Sequence, residues 1–362
     1  MSDSKEREIS YAEAIREGLE LSMSENPQVI IIGEGVPDPK AIFNTTAGLR
    51  SRFGENRVFD MPLSENGITG VCIGAAISGM RPVMVHQRID FSLLAMDQIV
   101  NNAAKWYYMF DGQSHVPLVI RMIIGRGWGQ GPQHSQSLQA MFGQVPGLKV
   151  IMPTTAYDAK GMLISAIEDD GPVIFIEHRW LHNVRDHVPD VAYRVPLNKA
   201  RRLHEGQSLT IAAFSYMALE AFWAAKALKE YMDISVDVLD MRSVRPLDIE
   251  AVIDSLKKTG RLIVADTGSK TGGIAGELIA QVVEQAFDIL KSPPLRVVLP
   301  DFPAPTSPFM TEGYYPEAQA IAKTVLQVLS VKKDSDRYAR TFNSLRRKAS
   351  HDTPNPDFMG PF

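Results

Sequence analysis

The sequence predicts an α/β fold of two doubly wound domains, and three observations carry that reading. Short apolar runs rich in Val and Ile recur along the 362 residues, amphipathic stretches separate them, and the alternation is interrupted once before it resumes. This is the pattern of parallel strands covered by helices, because a strand buried on both faces reads as a continuous apolar run. In the first half the expected strands are Val29–Ile32, Arg57–Asp60, Pro82–Val85, Leu118–Ile124, Leu148–Met152 and Val173–Glu177. The expected helices are Tyr11–Ser24, Ala41–Phe53, Ser64–Ser78, Met96–Met109, Ser135–Gln144 and Ala156–Glu168. From Arg179 to Glu205, Arg, His and Pro replace the apolar period, which marks a linker. Strands at Leu209–Ala213, Val236–Leu239, Leu262–Ala265 and Val297–Leu299 then alternate with helices at Met217–Tyr231, Ile249–Lys257, Ile274–Ala286 and Glu317–Leu329. Beyond Val331, seven Lys or Arg stand against four Asp with little apolar content; this reads as an extended basic tail, ordered only on a neighbouring chain. The expected divisions are therefore 1–190, 191–331 and 332–362.

Composition narrows the function. Apolar residues make up 45% and charged residues 22%, enough to build cores and to exclude wholesale disorder. A net charge of -4 is too little positive charge for a protein whose main work is gripping phosphate backbones, so no nucleic-acid partner is expected. The single cysteine, Cys72, excludes an intramolecular disulfide and any multi-cysteine metal site. Met1–Ser10 mixes acids and bases with no apolar run, and no stretch is long and apolar enough to span a bilayer; a cytoplasmic chain without a membrane partner is expected.

The common phosphate and hydrolase motifs are missing. There is no G-x-x-x-x-G-K-[ST], Gly33-Glu34-Gly35 lacks the third glycine of a dinucleotide fingerprint, and neither G-x-S-x-G nor H-E-x-x-H occurs. Two segments stand out instead. In Phe59–Gly79 a strand ends, Pro62 turns the chain, and Ser64 precedes a helix that begins with Glu65. Gly67, Gly70, Gly74, Ala75, Ser78 and Gly79 leave that helix almost bare, so another backbone can approach it closely. Glu65 then sits at the carboxyl end of a strand, either as a first-turn acid serving the helix dipole or as a working carboxylate. In Ile124–Gln136 four glycines lead into Gln133-His134-Ser135, a loop that can admit substrate beside a group able to exchange protons near neutral pH. His134 reads equally well as an ordinary surface histidine.

With these residues quoted, a resemblance emerges. Asp60-Met-Pro-Leu-Ser-Glu-Asn-Gly and the glycine-rich helix after it, Asp90-Phe-Ser with Asp97-Gln-Ile, Gln133-His-Ser-Gln, and Pro146-Gly-Leu-Lys-Val with Pro153 resemble the beta subunit of the pyruvate dehydrogenase-type decarboxylating component, a thiamine diphosphate enzyme of the transketolase superfamily. Asp266-Thr-Gly, Gly272-Gly-Ile-Ala-Gly-Glu277 and Pro303-Ala-Pro305 extend the likeness into the second domain, over roughly residues 8–330. The resemblance implies a pyrimidine-binding transketolase-like domain followed by a transketolase C-terminal-like domain. It implies oxidative decarboxylation of a pyruvate-like 2-oxo acid, with acyl transfer to lipoamide. Glu65 would hydrogen-bond N1′ of the cofactor's aminopyrimidine, so that the 4′ nitrogen can take the proton from the thiazolium C2. Phe91 would pack on the aminopyrimidine, Leu63 and Glu34 would line the same pocket, and His134 would serve proton transfer to a lipoyl arm. A potassium site of backbone oxygens would fall at Leu118, Ala166, Ile167, Asp169 and Gly171.

The sequence departs from the resemblance in three places. Val85-His86-Gln87-Arg88-Ile89 replaces a segment that commonly carries an acid and aromatic residues, and His86 and Arg88 there would meet a more anionic or hydroxylated substrate. Gly35 stands where an acid is usual. The superfamily's Gly-Asp-Gly…Asn motif for magnesium and diphosphate is absent. An alpha-type chain would therefore hold the magnesium, in a heterotetramer with a second copy of this chain and with a lipoyl acyltransferase as further partner. Two alternatives stay open: a non-oxidative transketolase-like carboligase subunit, and a scaffolding subunit without chemistry of its own.

Overall fold

A computed structural model describes residues 7–39, 42–125, 129–332 and 336–346, which divide into two compact units. The first takes in the described residues through 125 and residues 133–197; the second takes in 129–132 and the described residues from 198 onward.

In the first unit the strands are β1 (Glu8–Ser10), β2 (Val29–Gly33), β3 (Val58–Phe59), β4 (Arg81–His86), β5 (Val119–Ile124), β6 (Lys149–Ile151), β7 (Val173–His178) and β8 (Arg185–His187). Six of them run parallel in the order β6-β7-β5-β4-β2-β3, while β1 and β8 pair antiparallel as a separate ribbon. Every residue of β2, β5 and β7 is buried, as unbroken runs such as Val29-Ile-Ile-Ile32 require. The helices are α1 (Tyr11–Glu25), α2 (Leu49–Phe53), α3 (Glu65–Ile77), α4 (Trp106–Met109), α5 (Gln139–Gly143) and α6 (Ala156–Glu168). A capping box starts α1: the Glu13 N–H donates to the Ser10 hydroxyl at 3.2 Å, and the Ser10 N–H to the Glu13 carboxylate at 2.7 Å. Its apolar stripe, Tyr11, Ile15, Leu19 and Met23, is buried, and the helix packs chiefly on α6. The strand order reverses at β2, which leads to β3 on one side before the chain crosses to β4 on the other. In open parallel sheets such a switch point leaves a crevice outside the carboxyl ends of the strands.

Three expected elements differ from the structure. Residue 41 of the expected helix Ala41–Phe53 lies outside the described residues, and only Leu49–Phe53 is helical, because Ile42, Phe43 and Asn44 take φ of 41°, 57° and 69°. The expected helix Met96–Met109 is broken into a wide turn over Gln98–Ala103 and the short α4. The helix expected from Ser135 begins only at Gln139, so His134 ends a single tight turn, Pro132–His134, rather than opening a helix.

The second unit contains β9 (Arg201–His204), β10 (Leu209–Ala213), β11 (Val236–Asp240), β12 (Ser243–Arg245), β13 (Leu262–Ser269) and β14 (Leu295–Leu299). Its sheet runs β14-β13-β10-β11-β9, parallel except for β9. The helices α7 (Tyr216–Met232), α8 (Ile249–Thr259), α9 (Ile274–Ala286), α10 (Ala318–Val328) and α11 (Asp336–Ser344) accompany it. The stretch read as a linker thus holds β8 and β9, each paired. The tail read as extended contains α11, whose Tyr338 and Phe342 pack on the apolar core of this same unit because they fall four residues apart on one helical face. Residues 347–362 lie outside the described residues. Among the described residues, no helix is long and apolar enough to cross a membrane.

Candidate active site

The crevice at the first unit's switch point is built from three strand ends. Gly33 closes β2 where a Cβ would lie 2.5 Å from the Val85 carbonyl, so the close approach to β4 admits no side chain. Glu34 follows, and Gly35 turns the chain at φ +70°. Asp60, after β3, pins that turn: its Oδ1 accepts from the Gly35 N–H and from the Met61 N–H, each at 2.9 Å. The chain then rounds Pro62 and enters α3 at Glu65, which is 8% exposed. Three carboxylates therefore converge. Burial pushes the Glu34 carboxyl up, and the charges of Glu65 and Asp60 push it further, while its Oε1 is buried without a hydrogen-bond partner.

A second wall follows β4. Asp90 accepts from the Gln136 side chain at 2.8 Å, and Phe91 meets His134 edge-on, ring centroids 5.5 Å apart. These contacts tie the turn Ile89–Ala95 to the segment around His134. His86, at the last position of β4, is 3% exposed; burial pushes its imidazole down to about 4, and its Nε2 has no partner.

The expected site residues divide in two. Glu34 and Glu65 come together, as do Phe91 and His134. Leu63 does not join a wall of this unit: its side chain is 84% exposed, so only a neighbouring surface could cover it. The carbonyls expected to face potassium are partly taken, since Arg81 Nη1 donates to those of Ile167 (2.9 Å) and Asp169 (3.0 Å), and Leu118 accepts from the Val173 N–H at 2.9 Å. The guanidinium already supplies positive charge there; Ala166 lies buried in α6, and the Gly171 N–H donates to the Asp169 carboxylate.

Sequence reasoning missed a buried network behind the crevice. Arg121 of β5 holds Glu177 of β7 through two hydrogen bonds of 2.6 and 3.0 Å and also donates to Thr45, while His182 lies 3.2 Å from the same carboxylate. Burial alone would raise Glu177, but the Arg121 charge and the hydrogen bonds from His182 and Arg121 outweigh it and hold the carboxyl at about 2. The available signal was a charge inside each of two otherwise apolar strands, Val-Ile-Arg-Met-Ile-Ile and Val-Ile-Phe-Ile-Glu-His.

Residues 7–184 match the transketolase pyrimidine-binding domain, and residues 198–321 match the transketolase C-terminal domain. The chain belongs to the transketolase family. Among its relatives, the beta subunit of acetoin:2,6-dichlorophenolindophenol oxidoreductase from Cupriavidus necator is 40% identical, over 87% of this chain and 96% of that one. The pyruvate dehydrogenase E1 component subunit beta of Rickettsia bellii is 37% identical, over 90% of this chain and 100% of that one. In fold, this transketolase-family chain also matches a split-gene transketolase described as an inactive beta4 tetramer, with a TM-score of 0.71 at 24% identity, covering 90% of this chain and 99% of that one.

Proposed function

We propose that this chain is the catalytic beta subunit of a thiamine diphosphate-dependent 2-oxo acid dehydrogenase. The observation that carries the proposal is the paired carboxylates of Glu65 and Glu34, held at the β2/β4 switch point with a buried Glu34 oxygen that lacks a donor. An aminopyrimidine brings N–H groups and a ring nitrogen that can share a proton, which is what such a carboxylate pair fits. When bound, thiamine diphosphate supplies the carbon nucleophile and the electron sink for decarboxylation.

This chain's residues do the rest. Glu65 holds a proton at N1′ and orients the ring, and Glu34, whose carboxyl is pushed up, supplies a second acceptor or donor beside it. Phe91 offers an apolar face, and His134, braced against it, moves a proton at the substrate end. Asp60 keeps the Glu34 turn in register with Glu65. The diphosphate and its magnesium fall to an alpha-type partner in a heterotetramer, as the absence of Gly-Asp-Gly from this sequence and the subunit names of the relatives support. Gly67, Gly74 and Val71 on the exposed face of α3 would meet a second copy of this chain, and acyl transfer to lipoamide would call for a lipoyl acyltransferase.

The test is Glu65→Gln in the complex reconstituted with its alpha-type partner. The expected loss in kcat is about 100-fold or more, in line with general acid–base contributions, with the complex still assembled. Activity within a few-fold of the parent would leave the chain a scaffold.

A further inference from the structure

His86 closes β4 with its side chain 3% exposed, and its buried Nε2 makes no hydrogen bond among the described residues. A polar atom left in that state is costly unless something meets it. The direction in which the imidazole leaves the sheet follows from β4 itself, because successive side chains along a strand alternate between its two faces. Arg81 reaches one face, where it donates to the Ile167 and Asp169 carbonyls at the end of α6. Met84 reaches the other, where its sulfur lies 3.3 Å from the Thr69 hydroxyl of α3. His86 has the parity of Met84, so it too lies on the α3 face.

Its height along that face is set by two similar steps. α3 starts after the carboxyl end of β3 and runs back to the start of β4, against the direction of the strands. From Met84 to His86 is two strand residues toward the carboxyl ends, roughly 6.6 Å. From Thr69 to Glu65 is four helix residues in the same direction, roughly 6 Å. Thr69 itself donates to the Glu65 carbonyl at 2.7 Å. The imidazole therefore stands level with the Glu65 end of α3. Gly33 pairs with Val85 of the neighbouring strand, so Glu34 and His86 are the next residues along adjacent chains, side by side. The turn Ile89–Ala95, which carries Phe91, packs on the same helix.

Burial pushes the imidazole down to about 4, so at neutral pH it is uncharged and offers no ion pair to an anion. An uncharged imidazole has one nitrogen that donates and one that accepts, and a hydroxyl, which does both, answers Nε2 in either tautomer. In the proposed function Glu34 and Glu65 are matched to the aminopyrimidine, which leaves the imidazole for the molecule that reacts beside it. We infer that His86 is a specificity-determining residue whose Nε2 hydrogen-bonds a hydroxyl of the substrate, so that the preferred substrate is a hydroxylated 2-oxo acid. This deepens the proposed function and rests on it.

The experiment uses the complex reconstituted with the alpha-type partner and reads carbon dioxide release with ferricyanide as electron acceptor. The probes are 3-hydroxypyruvate and 2-oxobutyrate, which differ by a hydroxyl in place of a methyl group, with pyruvate as reference. In the parent complex, kcat/KM is expected to be at least 10-fold higher for 3-hydroxypyruvate than for 2-oxobutyrate. His86→Leu lowers that ratio at least 10-fold through loss with the hydroxylated acid, and His86→Gln, which keeps a donor and an acceptor, retains part of it. If His86→Leu fails to fold, His86→Phe, a ring in place of a ring, is read in its stead. A structural role lowers kcat/KM for both acids in parallel, and a contact with the cofactor instead raises the Kd for thiamine diphosphate in calorimetric titration. Either result overturns the inference, as does a parent complex that does not prefer 3-hydroxypyruvate. Failure to turn over any of the three acids is a different outcome: it overturns the proposed function, and this inference with it.

Discussion

The two sheets treat their polar residues differently, although both are largely parallel and both reverse strand order, at β2 and at β10. In the second unit, the buried polar groups beside β10 and β11 answer one another. Thr210 lies 2.7 Å from both Ser255 and Thr259, Ser255 donates to Asp237 at 2.5 Å, and Arg202 meets the other oxygen of Asp237 at 2.9 Å. They tie α8 to the sheet, although Asp237 Oδ1, ion-paired with Arg202, makes no hydrogen bond. In the first unit the acids Glu34, Asp60 and Glu65 repel one another at the strand ends, and Glu34 and His86 each keep a buried atom without a partner. Buried polar groups are ordinarily satisfied, and the unsatisfied ones beside Glu65 stand at the mouth of the switch-point crevice. One architecture thus carries a network that braces a helix in one unit and the candidate site in the other.

Substitutions can test that contrast, beginning with the Glu65→Gln variant described above. Next in size is the network behind the crevice. Arg121→Met leaves Glu177 charged, buried and without its bidentate partner, and is expected to cost about 3–5 kcal/mol in the unfolding of the first unit, measured by denaturant titration. The matching change in the second unit, Asp237→Asn, keeps a hydrogen-bonding side chain and is expected to cost only about 1–2 kcal/mol. Equal losses would dissolve the contrast.

Between these lies a pH effect. The folded chain holds His86 neutral down to about pH 4, whereas the unfolded chain protonates it near 6.5. The unfolded state therefore binds the extra proton, and stability falls as the pH drops from 6.5 and continues to fall until about 4, by about 3 kcal/mol in all. His86→Gln flattens that part of the pH profile of the melting temperature. An unchanged slope would mean that His86 titrates in the fold much as it does in the unfolded chain, so that the crevice wall gains a positive charge as the pH falls through about 6.5.

Much of this molecule was legible from residue order, and the reasons are local. The central strands announced themselves because burial on both faces demands unbroken apolar runs, as in Val29–Gly33 and Val173–His178. Ser10 and Glu13 spelled out the start of α1, and the Asp60–Gly67 motif marked Glu65 before any geometry was known. The misread segments were those where neighbours overrule propensity. Ile42, Phe43 and Asn44 are ordinary residues held in a left-handed path, and α11 is polar by composition yet anchored by Tyr338 and Phe342.

Local pattern and motif were thus enough to predict the two α/β domains and the family resemblance and to single out Glu65, because periodicity and short-range chemistry are written in consecutive residues. Pairings across the sheet were not. Arg121 meets Glu177 across 56 positions, and Arg88 and Arg179 approach the same glycine, Gly125, from strands that folding places on either side of β5. The electrostatic energy of such groups depends on distance and burial, and neither exists until the strand order is formed.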